Sequence, residues 1–406
     1  MAAYGTEQLT IEFEEGWESI KTKAIDKLID MLEEGIQRSL FKNKEYMETY
    51  TMCYNMCTQK SNASYALYEK HRKTISDYLE SNVLPALKNR ADIFLLQELV
   101  SRWSNHEIMN KWLKKFFTYL DRFYVSYNGE KPLQESGVSL FKNIVYDAIK
   151  KDTSAAIISL INQERENNEI DRGLIKKCVE IFEAMGMGNL ETYEMDLEAP
   201  LIESSRVYYQ QCGDKCILED STPVYLIRIE KILAEEKNRI LSYLNLTTEA
   251  KLLSVLDTVL IESKLQQLLE KEGSGLHILL QNDRFDDIMR MFQLFNRLKN
   301  GIGVNMMADI FREHIIKLGN DTILERKQKL DVLTAALNAS KESKDAAASS
   351  SEKLNSEKET YLIDTTYLKE LITIHEKYIQ ITKTYLQNNS LFHKAIKDSY
   401  MNILNK

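Results

Sequence analysis

Apolar residues recur along almost the whole chain in steps of three and four, the spacing that aligns side chains on one face of an α-helix. The first run is Phe13, Trp17, Ile20, Ala24, Leu28 and Met31. Tyr46 to Cys57, YMETYTMCYNMC, carries the second, and Ile93, Leu96, Val100 and Trp103 make the third. KWLKKFFTYLDRFYV, Lys111 to Val125, reads as one helix with a wide apolar arc of roughly 160°. The second run is wider still. Wound at about 100° per residue, Met52, Met56, Thr49, Cys53, Tyr46, Cys57, Tyr50, Tyr54 and Met47 fill roughly 220°, leaving only Glu48, Thr51 and Asn55 behind them. A helix resting on a single core needs a stripe of about 100° or a little more. The surplus requires a second burial partner, either another layer of this protein or another protein.

Further along, EIDRGLIKKCVEIFEAMG ending at Gly186 and FDDIMRMFQLFNRLKNG ending at Gly301 share one recipe: acidic residues in the first turn, an apolar stripe, and a glycine placed for a left-handed cap. SYNGEKPLQESG, Ser126 to Gly137, is a turn-rich break and marks the first domain boundary. EKHRKTISDYL (69–79), EKNRILSYL (236–244) and EKYIQITKTYL (376–386) echo one another at separations longer than the familiar short helical repeats. Each unit is therefore expected to be a multi-helix bundle, three of them stacked. The boundaries read as 1–136, 137–248 and 249–406. Residues 336–360, rich in Ser, Ala, Lys and Glu, offer almost nothing to bury and read as a mobile loop or a solvated helical arm in the third unit.

Composition sharpens this picture. With 14 glycines and 4 prolines in 406 residues and no strand alternation, the expectation is an all-α chain of two to four units. A net charge of −8 supplies no electrostatic footprint for nucleic acid or an anionic membrane. The opening residues show no basic flank followed by an apolar core and no window reaches 18 apolar residues, so neither a signal peptide nor a membrane span is expected. Five cysteines, an odd number, fit reduced thiols and hence the cytoplasm and nucleus.

Candidate chemistry is sparse. Cys53 and Cys57, with Cys212 and Cys216, form two C-x3-C pairs, yet that spacing also follows from any apolar helical stripe and neither pair lies in a glycine-rich knuckle. His375-Glu376 has Ile379 where a metalloprotease helix places its second histidine. MGMGN, EGSGL and NGIGV lack the residues that complete a phosphate loop and read as helix caps. No catalytic site, cofactor or metal is expected. The 21 tyrosines against 13 phenylalanines and 3 tryptophans suit surfaces that meet water alone and are covered in a complex.

FEEGWESI, YMETYTMCYNMCTQK, SNVLPALKNRADIFLLQELVSRWSNHEIMNKWLKKFFTYLDRFY, EIDRGLIKKCVEIFEAMGMG, LLEKEGSGLHILLQNDRFDDIMRM and NNSLFHKAIKDSYMNILNK together resemble the amino-terminal half of a cullin, specifically a plant-type cullin of the SCF ubiquitin ligase class. The resemblance covers nearly the whole chain in order. It implies three five-helix cullin repeats forming an elongated curved stalk, a non-catalytic scaffold whose first repeat binds a Skp-type adaptor and through it F-box proteins. Carried over by position, the adaptor face comprises Tyr46, Thr49, Tyr50 and Cys53 from the second helix, with Tyr119, Arg122 and Phe123 from the fifth.

Two features depart from the pattern. The RING subunit of such ligases is held by a carboxy-terminal domain that has no counterpart before Lys406, so the chain is expected to be a piece of a cullin or a truncated paralogue, the latter a decoy that captures adaptors. The insert at 336–360 and the Ser126-Tyr127 pair after the fifth helix are the other. A helical-rod vesicle-tethering subunit is the alternative class, and basic membrane-facing patches or long coiled-coil arms would distinguish it.

Overall fold

The computed structural model describes residues 11–36, 40–59, 63–341 and 349–405; within the helices, side chains are described except at 337, 339–341 and 349–356. Among the described residues there is no strand, and no helix is long and apolar enough to cross a membrane. The chain is all-α, as its periodicity predicts.

The helices in order are α1 (13–33), α2 (Asn43–Thr58), α3 (64–88), α4 (Asp92–Phe116), α5 (118–128), α6 (133–165), α7 (Arg172–Ala184), α8 (191–219), α9 (Thr222–Tyr243), α10 (248–270), α11 (Leu276–Gln281), α12 (Phe285–Phe295), α13 (Ile302–Lys341), α14 (Ser349–Tyr385) and α15 (Ser390–Leu404). They fall into two compact units, Met1–Ser204 with Arg239–Thr248, and Ser205–Asn238 with Glu249–Lys406. The position 136/137 lies inside α6, whose first turn starts at Leu133 after the break at Gly129. The position 248/249 lies at the start of α10.

In the first unit one continuous core runs from Trp17 and Ile20 on α1, through Leu96 and Leu99 on α4, to Phe141 and Ile157 on α6 and Phe182 on α7. Two of its buried tyrosines are held by carboxylates. Tyr78 donates to Glu33 at 2.6 Å, and Glu33 also accepts from Arg102, whose guanidinium reaches Glu98 as well. Tyr243 makes the same kind of bond to Glu164 at 2.7 Å. Two of the three sequence echoes thus end in a buried tyrosine whose hydroxyl is held by a glutamate. The third ends differently, with Leu386 buried and Tyr385 against Phe285.

Two glycines behave otherwise than the cap reading expects. Gly186 is not left-handed; the positive φ angles fall on Met187 and Gly188. Its requirement is space, since a Cβ there would lie 1.9 Å from the Asn189 carbonyl oxygen. Gly301 is left-handed, with φ +62°, but α12 has already ended at Phe295. By contrast α7 starts as expected, its Asp171 side chain accepting from the Leu174 amide at 2.9 Å.

In the second unit α13 and α14 are the longest helices. The described side chains between Asn320 and Ala336 on α13, and between Glu357 and Glu370 on α14, include none that is buried. Backbone helix therefore enters the 336–360 stretch from both sides, as the arm reading allows; residues 342–348 lie outside the described residues.

Candidate docking surface

The site is built on α2, which packs against α1, α4 and α5. Its start is fixed by Glu45: the carboxylate accepts the Lys42 amide at 2.8 Å and an ion pair from Lys27 of α1 at 2.7 Å. Hydrogen bonds from Lys27 and the Lys42 backbone hold the Glu45 carboxyl below its ordinary range, although burial opposes them. This closes one orphan donor of the helix start and sets the rotation of α2 on α1.

That rotation gives α2 three faces. Thr49, Cys53, Met56 and Cys57 point inward and are buried. Cys53 is 1% exposed and its thiol is pushed well above the ordinary value by burial. The Thr49 hydroxyl donates to the Glu45 carbonyl one turn back, at 3.0 Å. Of the carried-over set, Thr49 and Cys53 are therefore the two that the structure places in buried positions. They lie on the same helical stripe as Met56, and the bundle itself covers that stripe.

The tyrosines lie on the second face. Tyr46 and Tyr50 are half-buried and Tyr54 is exposed. Their rings run down the helix with centroids 6.2 Å and 6.4 Å apart, the second pair stacked. Tyr54 meets Tyr119 of α5 edge-to-face at 4.9 Å, and Tyr119 lies 4.5 Å from Phe123. Such spacings lie within the range of favourable aromatic pairs. A continuous aromatic ladder thus crosses from α2 to α5 and stays open to solvent, with Phe123 54% exposed and Arg122 exposed beside it.

On the third face Met47 is exposed, and an open groove of about 870 Å³ lies between α1 and α2, with Lys23, Met47, Thr51 and Met52 in its walls.

The stretch Lys111 to Val125 is not one helix. It breaks at Phe117, whose φ of −99° and ψ of 24° leave the helical region. The aromatic surface there is divided accordingly: Trp112 and Phe116 close α4 against Phe41 at 5.0 and 5.1 Å, while Tyr119 and Phe123 belong to α5. Between Leu120 and Val125 α5 widens to π winding. Leu120 and Val125, five residues apart, both reach the core as a result, at 1% and 2% exposure. Tyr54 is the rung the carried-over set lacks; its four-residue spacing from Tyr50 was the available signal.

The architecture is that of an all-helical scaffold with a preformed aromatic surface, a class that works by presenting faces to partners. The chain belongs to the cullin family: residues 23–406 match the cullin alpha solenoid domain. It is 39% identical over 402 residues to Cullin-1 of Oryza sativa subsp. japonica, covering 98% of this chain and 51% of that one. Cullin-2 of Arabidopsis thaliana is 34% identical, with 97% and 50% covered. Putative cullin-like protein 2 of Arabidopsis thaliana is 37% identical over 388 residues, 95% of this chain and 93% of that protein. The chain spans about half the length of the first two of these relatives and matches their amino-terminal half.

Proposed function

We propose that this chain is the adaptor-binding part of an SCF-type cullin–RING ubiquitin ligase scaffold. Its first repeat binds a Skp-type adaptor, and through it F-box substrate receptors, across the ladder of Tyr46, Tyr50, Tyr54, Tyr119 and Phe123 with Arg122 at its edge. The following repeats, 137–248 and 249–406, act as a non-catalytic spacer toward a RING subunit held by a carboxy-terminal domain, in the cytoplasm and nucleus. The observation that carries this reading is the half-open aromatic ladder on two helices of a cullin-family bundle. A half-exposed ring leaves area to be removed from water, and a few such aromatics supply most of the binding energy of a standard interface.

Co-purification tests it: the wild-type chain should retain a recombinant Skp-type adaptor bound to an F-box segment, and a folded Tyr46→Ala, Tyr50→Ala variant should lose it. Undiminished retention by that variant counts against the face. A second reading, a short cullin-like chain that sequesters adaptors, is favoured by the 93% coverage of the Arabidopsis cullin-like protein. The same retention assay with the native protein's full length determined separates the two.

A further inference from the structure

The basic side chains around the ladder carry an inference that rests on the adaptor reading and goes beyond it. The whole chain is acidic, at −8, yet the border of this one surface is cationic. Lys115 of α4 lies exposed with its ammonium 4.3 Å from the centroid of Trp112. Trp112 stands 5.8 Å from Phe116, and Phe116 stands 6.2 Å from Tyr46. One turn earlier on α4 is exposed Lys111, and across the ladder is exposed Arg122 of α5. Lys111, Lys115 and Arg122 have no carboxylate partner among the described residues.

Three acids on or beside the same helices are already engaged. Glu45 is held by Lys27, Glu48 lies 3.9 Å from Lys44, and Asp121 accepts the Leu133 amide at 2.9 Å. An unpaired cationic border around an apolar centre is the pattern that raises encounter rates with a partner of opposite sign.

We infer that the partner presents an acidic rim to Lys111, Lys115 and Arg122, and that this charge border sets how fast it docks while the aromatic ladder sets how long it stays. Steering acts over about one Debye length, roughly 10 Å at 0.1 M salt, so it reaches beyond the contact itself. Truncating or reversing rim charges then changes the association rate, whereas removing rings changes dissociation.

The test is stopped-flow or surface-based kinetics with the Skp-type adaptor–F-box segment complex as probe, from about 0.05 to 0.5 M salt. The expected result is an association rate that falls about tenfold or more across that range. Lys111→Glu with Lys115→Glu should slow it about tenfold at low salt, with dissociation within about twofold of wild type. Because Lys115 lies on Trp112, Lys111→Glu with Arg122→Gln serves as a second variant that leaves that ring contact in place, with melting curves confirming the fold of both. If the wild type binds with an association rate indifferent to salt and to both variants, the charge border has no steering role and the adaptor reading stands alone. If the wild type does not bind the probe at all, both readings fall.

Discussion

Replacing Tyr50 by alanine separates the ladder's two roles. The ring sits midway, 6.2 Å from Tyr46 and 6.4 Å from Tyr54. Both spacings are at the long end of the favourable range, so each pair contributes at the low end, about 0.5 kcal/mol. The side chain is half-buried, so folding should lose on the order of 1 to 2 kcal/mol, a fall of a few degrees in the melting temperature. Binding should lose more. A central aromatic covered by a partner costs about 2 kcal/mol on truncation, roughly a thirtyfold weaker dissociation constant. Titration calorimetry with the adaptor–F-box segment complex, alongside thermal melts, measures both. Tyr50→Phe keeps the ring and should stay within about threefold of wild type. A folded Tyr50→Ala variant binding within twofold of wild type would refute the proposed role of the ladder.

Other outcomes follow from the bundle that holds the ladder. Gly137 of α6 passes so close to α4 that a Cβ would lie 2.2 Å from Asn110 Oδ1, and its carbonyl is 2.9 Å from His106 Nε2; Gly137→Ala should cost about 1 to 3 kcal/mol in urea unfolding, and an unchanged midpoint would contradict the packing. Gly186→Ala meets backbone, the Asn189 carbonyl, and should cost about 3 kcal/mol or more, seen as loss of soluble expression or a much lower melting temperature. His71 and His106 are both driven down to about 4 by burial. Above about pH 6.5 they are neutral folded and unfolded and exert no pH effect; as pH falls toward 4 the unfolded chain takes up protons first, so stability drops by up to about 3 kcal/mol for each. Denaturant midpoints at pH 7.5 and pH 5 test this, and equal values at both would show that neither histidine is held neutral.

Much of the molecule was legible because helical periodicity reports burial directly. Trp17, Ile20, Ala24 and Leu28 share a stripe in sequence and a core in the structure. What the pattern could not reveal was the division of a wide stripe. On α2 the arc contains both the residues the bundle covers and those it leaves open, and only packing against α1 and α4 assigns Cys53 inward and Tyr50 outward. Likewise KWLKKFFTYLDRFYV keeps an unbroken helical rhythm across Phe117, where the backbone departs from helix without a proline or glycine to announce it. Gly186 reads as a cap because sequence shows that side-chain bulk is forbidden there, not whether a torsion angle or a neighbouring carbonyl forbids it. The proposed docking residues come from the family resemblance; their periodicity indicates only that something has to cover them.

The inward commitment of Thr49, Cys53 and Met56 has a consequence for how this helical bundle can change. Residues that close the bundle and residues of the proposed docking face are interleaved along one helix, Thr49, Cys53 and Met56 inward, Tyr46, Tyr50 and Tyr54 outward. A descendant that adopts a different subunit need rewrite only the outer register of α2 and a few positions on α5. The inner register, and the scaffold it secures, can be inherited untouched.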